Sequence, residues 1–335
     1  MRKSITSLVI ALMLTSSLWA CSSVDGGPRS TEERLPPGDH DLSLTVAGRE
    51  RTYWLHIPPQ RQADSPLPLV LMFHGAGGNG RGQEDWSGMD AVADREGFLV
   101  VYPDGTSLFG RRFLTWNAGG CCGYAMRNNV DDVGFVVALL KALARRVLVD
   151  RTRVYTTGMS NGAMMSYRLA VEIPERIAAI TPVAGGLVTE LPAASRAVPL
   201  LHIHSVDDAR AVYGGDRGAR LSFARRANHP AIEEVVAQWA RLNGCETVPI
   251  SEPTQHGMRE GLDTTHTATK LTYPRCRDGI EVGLWKLTGA GHVWPGPGPR
   301  YPEWYLGSPT SVIDASEEMW RFFKKFSRAD APPLE

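Results

Sequence analysis

Gly158-Met159-Ser160-Asn161-Gly162 is the stretch of this chain whose residue types could carry out covalent chemistry. A serine hydroxyl becomes a nucleophile once a base takes its proton. Glycines two residues before and after it let a strand turn sharply into a helix, so that the hydroxyl points into a cleft. With glycine at 34 of 335 positions, such flanks arise by chance at about one serine in a hundred, so the motif depends on its surroundings. Those surroundings fit: Arg153 to Thr157 is β-branched and aromatic, as in a strand, and Ala163 to Ala170 continues as a helix that stops near Pro174.

The hydroxyl needs a base, the base needs an acid, and on this kind of elbow the chain order is Ser, Asp, His. The apolar run Val198 to Ile203 delivers His204-Ser205-Val206-Asp207-Asp208, and the run Glu281 to Leu287 delivers Gly289-Ala290-Gly291-His292-Val293-Trp294. Of nine histidines, His292 stands out because glycines on both sides let its loop come close to Ser160. His256 and His266, in a polar, turn-rich stretch, are the alternatives, and Asp207 competes with Asp208 as the acid. Negative charge developing on a carbonyl oxygen calls for preorganised N–H donors. Phe73-His74-Gly75-Ala76-Gly77-Gly78 follows an apolar strand where such donors belong, which assigns the backbone N–H groups of Ala76 and Asn161 to an oxyanion hole and leaves His74 to shape the loop. No Gly-Lys-Ser/Thr phosphate loop, His-Glu-x-x-His or Cys-x-x-Cys occurs, so no metal or other cofactor is expected.

The elements that must position these residues alternate. Asp41 to Gly48 and Arg51 to Pro58 read as a hairpin. Pro68 to Phe73 and Phe98 to Tyr102 are short, continuous apolar runs, typical of strands buried on both faces. Further strands are expected at Ile177 to Val183, Val198 to Ile203, Ala268 to Tyr273 and Glu281 to Leu287. Helices are expected at Met89 to Glu96, Asn129 to Val149, Ala231 to Leu242 and Ala315 to Phe326. The fold class is α/β, of the α/β-hydrolase type: a mainly parallel central sheet, helices on both faces, and an N-terminal antiparallel hairpin.

Met1-Arg2-Lys3 and the apolar stretch Leu8 to Leu14 read as an export signal, and Leu18 and Ala20 precede Cys21 as in a bacterial lipobox. The expected organisation is a signal over residues 1–21 ending at a lipidated Cys21, a tether over 22–40, a catalytic domain over 41–327 and a tail over 328–335. This places the chain outside the cytoplasm, anchored to a membrane by lipid. Trp19 is uncommon in a lipobox and leaves plain secretion as the other outcome. No later segment reaches the ~18 apolar residues of a membrane span. Charge balances at 36 basic and 36 acidic residues without basic clusters among aromatics, which argues against a nucleic-acid partner. If Cys21 carries lipid, four cysteines remain. Cys245 and Cys276 are the distant pair, and the adjacent Cys121 and Cys122 are either bridged or free. A basic stretch after the acid, Arg217 to Arg226, is a solvated loop or part of a lid.

The motifs at His74-Gly75, Tyr102-Pro-Asp-Gly105, Trp116-Asn-Ala-Gly-Gly-Cys-Cys-Gly123, Val130-Asp-Asp-Val-Gly-Phe135, Gly158 to Gly162, Trp239 to Cys245 and Gly291-His-Val-Trp-Pro-Gly296 occur in one order. From about residue 42 to 326 the chain thereby resembles the polyhydroxybutyrate depolymerase-like and feruloyl esterase group of carbohydrate esterase family one. The resemblance implies Ser160 as nucleophile and His292 as base. The group's acid-loop pattern, His-Gly-Thr-x-Asp-x-x-Val-x-Tyr, set against His204 to Tyr213, selects Asp208, although Ser205 replaces the glycine. It further implies a Cys245–Cys276 bridge, a cleft lined by Trp116 and Trp294, and hydrolysis of feruloyl-type aryl esters or short hydroxyalkanoate esters. The tether and the end of the chain at Glu335, soon after the last helix, favour small diffusing esters. Acyl transfer on the same scaffold and a non-catalytic surface lipoprotein are the rival functions.

Overall fold

The structure, a computed structural model, describes residues 34–60, 65–192, 196–215, 230–258, 264–298 and 301–334. The export signal, Cys21, most of the tether and the stretch Arg217 to Arg226 lie outside them. Strands β1 (Gly38–Val46) and β2 (Arg49–Ile57) form the expected hairpin, with Asp39 opposite His56. Along the chain follow β3 (Leu67–Phe73), α1 (Gly80–Ser87), α2 (Met89–Glu96), β4 (Leu99–Pro103), the short α3 (Gly123–Arg127), α4 (Asp132–Arg146), β5 (Val149–Met159), α5 (Asn161–Glu172), β6 (Ala179–Val183) and β7 (Leu200–Ser205). The second half adds α6 (Ile232–Leu242), β8 (Ile250–Ser251), β9 (Gln255–His256), β10 (Thr267–Tyr273), β11 (Val282–Thr288), the one-turn α7 (Glu303–Leu306) and α8 (Ala315–Phe323).

In space the strands run β1-β2-β4-β3-β5-β6-β7-β11-β10-β8, with β9 also paired to β10. From β4 to β11 in that order every pairing is parallel, and both flanks are antiparallel. Alternate residues of β3 show why its sequence reads as a continuous apolar run. Leu69, Leu71 and Phe73 pack on one side of the sheet with Phe135 of α4, Met165 of α5 and Trp239 of α6. Val70 and Met72 pack on the other side with Met89 of α2 and Phe323 of α8. Helices therefore cover both faces, as a parallel sheet requires.

Helix α1 has no counterpart in the sequence pattern, because Gly80 and Gly82 are poor helix formers. Its ends explain it: Asn79 accepts from the Gly82 N–H as N-cap, and Gly88, at φ 60°, closes it in the left-handed region.

Both ends of the described domain lie at the amino edge of the sheet. The Leu35 N–H donates to the carbonyl of Arg146, just before β5 (3.0 Å). The Arg328 N–H donates to Thr152 near the start of β5 (2.7 Å), and its side chain donates to the carbonyls of Ile177 (3.0 Å) and Ala197 (2.7 Å), which precede β6 and β7. Residues 328–334, expected as a tail, instead pack against the domain, with Ala331 and Leu334 buried.

The hairpin is tied to α2 by His56, whose Nδ1 meets Asp39 Oδ1 at 2.7 Å and whose Nε2 meets Asp94 Oδ1 at 2.8 Å, with Asp90 also facing the ring. Burial, reinforced by Glu84, pushes the Asp90 carboxyl up to about 7. Burial works against the His56 proton, but the surrounding carboxylates of Asp90, Asp39 and Asp94 raise it overall. Groups with raised folded-state values favour folding while protonated, and that contribution disappears as pH rises through those values. The urea midpoint is therefore expected to fall between pH 6 and pH 8, and to fall less in Asp90→Asn. Equal falls in both proteins would remove this cluster as the cause.

Candidate active site

Strand β5 ends at Met159 and helix α5 begins at Asn161, so Ser160 occupies the turn itself, at φ 56°, ψ −117°. A non-glycine residue there costs roughly 1–3 kcal/mol and persists only where its surroundings enforce it. They do so here: the Ser160 N–H donates to Val183 at the end of β6 (2.9 Å), and the Ser160 carbonyl accepts from Met164 (3.1 Å). The flanking glycines follow from the same crowding, because a Cβ at Gly158 or Gly162 would land on the Phe73 carbonyl at the end of β3.

That close approach brings the loop after β3 to the serine. A Cβ on Gly75 would sit 3.4 Å from Ser160 Cβ. Ala76 follows on the exposed side of the loop. The turn is closed by Gly78 N–H on Gly75 (3.0 Å) and by Gly77 N–H on Leu114 (2.8 Å). His74 lies beneath it, buried. Its Nε2 accepts from Gly105 N–H (3.0 Å), so its Nδ1 carries the hydrogen and donates to the Gly75 carbonyl (2.8 Å). Burial pushes His74 down to about 4, which keeps it neutral in its expected loop-shaping place.

Asn161 has a second use that the sequence does not advertise. Its Oδ1 accepts from Trp116 N–H (2.7 Å) and its Nδ2 donates to the Trp116 carbonyl (3.0 Å), pinning the Trp116 segment to the first turn of α5. Its backbone N–H, in that first turn, belongs to the helix end whose donors lack helical partners.

Trp116 and Trp294, expected to line the cleft, are packed into the protein. Trp116 is fully buried. It packs edge-on against Phe73 (5.1 Å between centroids) and donates its indole N–H to the His74 carbonyl (3.0 Å). Trp294 is also buried, and its indole donates to Ser316 Oγ (3.3 Å), which in turn donates to the Ser87 carbonyl (2.8 Å). Both indoles brace site loops from below. Asp132 of the Val130 motif does the same: it accepts from Asn117 N–H (2.8 Å) and from the buried Arg51 (2.7 Å).

Asp208 follows β7 and His292 follows β11. Since β5, β6, β7 and β11 are consecutive parallel neighbours, these two residues and Ser160 share the carboxyl edge of the sheet. His292 Nδ1 donates to Asp208 Oδ2 at 2.7 Å, with both side chains buried. Asp208 Oδ1 accepts from the N–H groups of Arg210 and Ala211, each at 2.8 Å. Burial alone would raise the Asp208 carboxyl, but the facing His292 and the hydrogen bonds from His204 and His292 hold it well below the usual carboxylate range. Asp207 turns elsewhere: its Oδ2 accepts from Gly289 N–H at 2.6 Å. Ser205, where the resembled pattern has glycine, donates to the Ala290 carbonyl at 2.5 Å. Together these two bonds clip the acid loop to the histidine loop.

The glycines beside His292 serve packing. A Cβ at Gly291 would strike the Leu306 carbonyl, and one at Gly289 would strike the His266 ring. Of the alternative histidines, His266 packs under Gly289, and His256 is exposed on β9 at the sheet flank. Sulfurs of Cys245 and Cys276 lie at disulfide distance, and those of the adjacent Cys121 and Cys122 lie against each other. Among the described residues, the grouping suited to a metal ion is Asp39, His56 and Asp90, at the hairpin and not at this edge.

Over residues 51–238 the chain matches the family described as Esterase PHB depolymerase. It is 30% identical over 276 residues to a protein named "Putative esterase NocK" from Nocardia uniformis subsp. tsuyamanensis, covering 79% of this chain and 77% of that one. It is 27% identical over 249 residues to feruloyl esterase B of Piromyces equi, covering 71% of this chain but only 41% of the relative's length. Among solved structures, an acetyl xylan esterase from Aspergillus awamori superposes with a TM-score of 0.55 at 16% identity, covering 86% of this chain and 99% of that one. Together with the strand order, this establishes the α/β-hydrolase fold.

Proposed function

Because the chain belongs to the Esterase PHB depolymerase family and is a carboxylic ester hydrolase, we propose that Ser160, His292 and Asp208 are its catalytic triad. The observation that carries this reading is the 2.7 Å bond from His292 Nδ1 to Asp208, at the sheet edge where Ser160 sits on its enforced turn. With Nδ1 donating to the carboxylate, Nε2 is the nitrogen left to take a proton. Ser160 Oγ attacks the ester carbonyl carbon while its proton passes to His292 Nε2, and Asp208 stabilises the resulting imidazolium. The carbonyl oxygen takes up negative charge facing the backbone N–H groups of Ala76 and Asn161. The intermediate collapses, the C–O bond to the alcohol breaks, and His292 returns its proton to the departing alkoxide. Water then enters by the same route: His292 removes its proton, the hydroxide oxygen bonds to the acyl carbon, and the acid leaves as Ser160 regains its hydrogen.

The substrates are feruloyl-type aryl esters or short hydroxyalkanoate esters. The name of the Piromyces relative supports the first, and the family description supports the second. The protein works outside the cytoplasm, anchored through Cys21 or secreted. The Cys245–Cys276 pairing, a bridge suited to an oxidising compartment, supports this. Soluble protein from Ser22 onward, assayed on methyl ferulate and on a hydroxybutyrate trimer, tests the substrate. Cleavage of one alone assigns the class. Cleavage of neither, with Ser160 still labelled by a serine-reactive phosphonate, overturns both classes and leaves the nucleophile standing.

A further inference from the structure

One turn of helix joins the loops that carry the proposed base and acid. Pro302 opens α7 and Gly307, at φ 86°, closes it, with Tyr305 N–H on the Pro302 carbonyl (2.8 Å) and Gly307 N–H on Glu303 (2.7 Å). The His292 N–H donates to the Leu306 carbonyl (2.6 Å), and the Gly291 N–H donates to Ser308 (2.9 Å). From the acid loop, Arg210 Nε donates to the Tyr305 carbonyl (2.7 Å), while the Arg210 backbone N–H holds Asp208 Oδ1. The segment is therefore fixed to both loops through its backbone, which leaves its side chains for another use.

Those side chains are aromatic and face water. Trp304 is 86% exposed and Tyr305 47%. Their ring centroids lie 5.7 Å apart at 62°, and the Arg210 guanidinium sits 4.3 Å over the Tyr305 ring, so the pair is held in place before any ligand arrives. A few residues earlier Tyr301, also partly exposed, packs edge-on against Trp86 of α1 (4.8 Å). Single exposed aromatics are ordinary. Several rings held together on a segment bonded to catalytic loops mark a surface suited to a ligand. An indole this open is unfavourably hydrated, and a ring stacked upon it removes that apolar area from water.

Which half of the ester reaches these rings follows from the path of the proton. His292 Nε2 receives the Ser160 proton and returns it to the departing alkoxide, so the alcohol half leaves beside His292, while the carbonyl oxygen turns to the N–H groups of Ala76 and Asn161. Helix α7 is bonded to His292 itself. We propose that Trp304, supported by Tyr305, is a specificity residue that stacks on a ring, aryl or sugar, in the alcohol half of the ester. The proposal rests on reading Ser160 and His292 as catalytic, and it adds the part of the substrate that this reading leaves open.

The test compares wild type, Trp304→Ala and Trp304→Phe on small esters: ethyl acetate as reference, benzyl acetate and methyl glucoside monoacetate with the ring in the alcohol, and ethyl phenylacetate with the ring in the acid. Trp304 is open to water, so both variants should keep the fold. An aromatic contact of this kind is worth about two- to tenfold. In Trp304→Ala the kcat/KM of at least one ring-alcohol ester should therefore fall by about two- to tenfold relative to ethyl acetate, and Trp304→Phe should recover most of it. Loss on the benzyl ester alone assigns aryl alcohols, and loss on the glucoside alone assigns sugars. The ratio of ethyl phenylacetate to ethyl acetate should hold. An equal fall on every ester, as a merely structural α7 would give, a fall confined to ethyl phenylacetate, or no fall at all would overturn the proposal. A second measurement needs no turnover: in Ser160→Ala the Trp304 indole 15N–H signal should shift on titration with a ring-alcohol ester and stay in place with ethyl phenylacetate. The reverse pattern, or a signal that ignores both, would also overturn it. Sedimentation covers another occupant: a wild-type dimer that Trp304→Ala turns into monomer, with ester preferences unchanged, would give the rings to a second copy of the chain and overturn the proposal. Should Ser160→Ala hydrolyse ethyl acetate as fast as wild type, the triad itself falls, and the indole titration still decides whether Trp304 receives the ring.

Discussion

Ser160→Ala should lower ester turnover by about 10⁴–10⁶-fold with KM little changed, the scale of loss when a nucleophile is removed from an otherwise intact constellation. The elbow is enforced from outside the side chain. Its N–H is held by Val183 and its carbonyl by Met164, and the crowding at Gly158 and Gly162 does not involve the hydroxyl. Alanine accepts the same backbone angles as serine, so the variant should fold, and its thermal midpoint should stay within a few degrees. Residual rate over water would come from the oxyanion donors and from binding alone. Steady-state kinetics on any cleaved ester, with phosphonate labelling of wild type as a count of active sites, makes the comparison. A variant within tenfold of wild type would remove Ser160 from the mechanism.

Asp208→Asn should cost about 10⁴ in kcat, and the reason lies in how the carboxylate is gripped. The N–H groups of Arg210 and Ala211 both donate to Oδ1, so the amide oxygen of an asparagine must take that place. Its NH2 is then turned towards His292 Nδ1, which can accept only by shifting its hydrogen to Nε2. A base with its hydrogen already on Nε2 cannot take one from Ser160. Asp207→Asn makes the contrast: an asparagine oxygen can still accept from Gly289 N–H, and the loss should stay below about tenfold. Reversed magnitudes in the two variants would transfer the role of acid to Asp207.

The sequence and the structure agree most closely where the determinants are local. Helix α2 spans Met89–Glu96 as its pattern predicts, and the elbow falls where two glycines and a strand signal place it. Asp207 and Asp208 are adjacent carboxylates on one turn, and only the positions of Gly289 and His292, more than eighty residues away in the chain, separate a loop clip from the partner of a base. The same holds for Asn161 and Trp116. Their types signal an oxyanion neighbour and a cleft aromatic, yet the bidentate grip of one on the other's backbone depends on a contact across 45 residues. Ser205 looked like a departure from pattern. Its hydroxyl turns out to bridge two loops, an arrangement no periodicity encodes. Helix α1 was invisible because its caps, not its interior residues, make it a helix.

With Leu35 beside Arg146 and Arg328 beside Thr152, the chain enters and leaves its domain at one pole of the sheet, while Ser160, Asp208 and His292 occupy the opposite pole. A support joined to the described domain beside Leu35 or Arg328 would therefore meet it at the pole away from those three residues. Joining a carrier there is expected to leave the opposite edge of the sheet open to substrate.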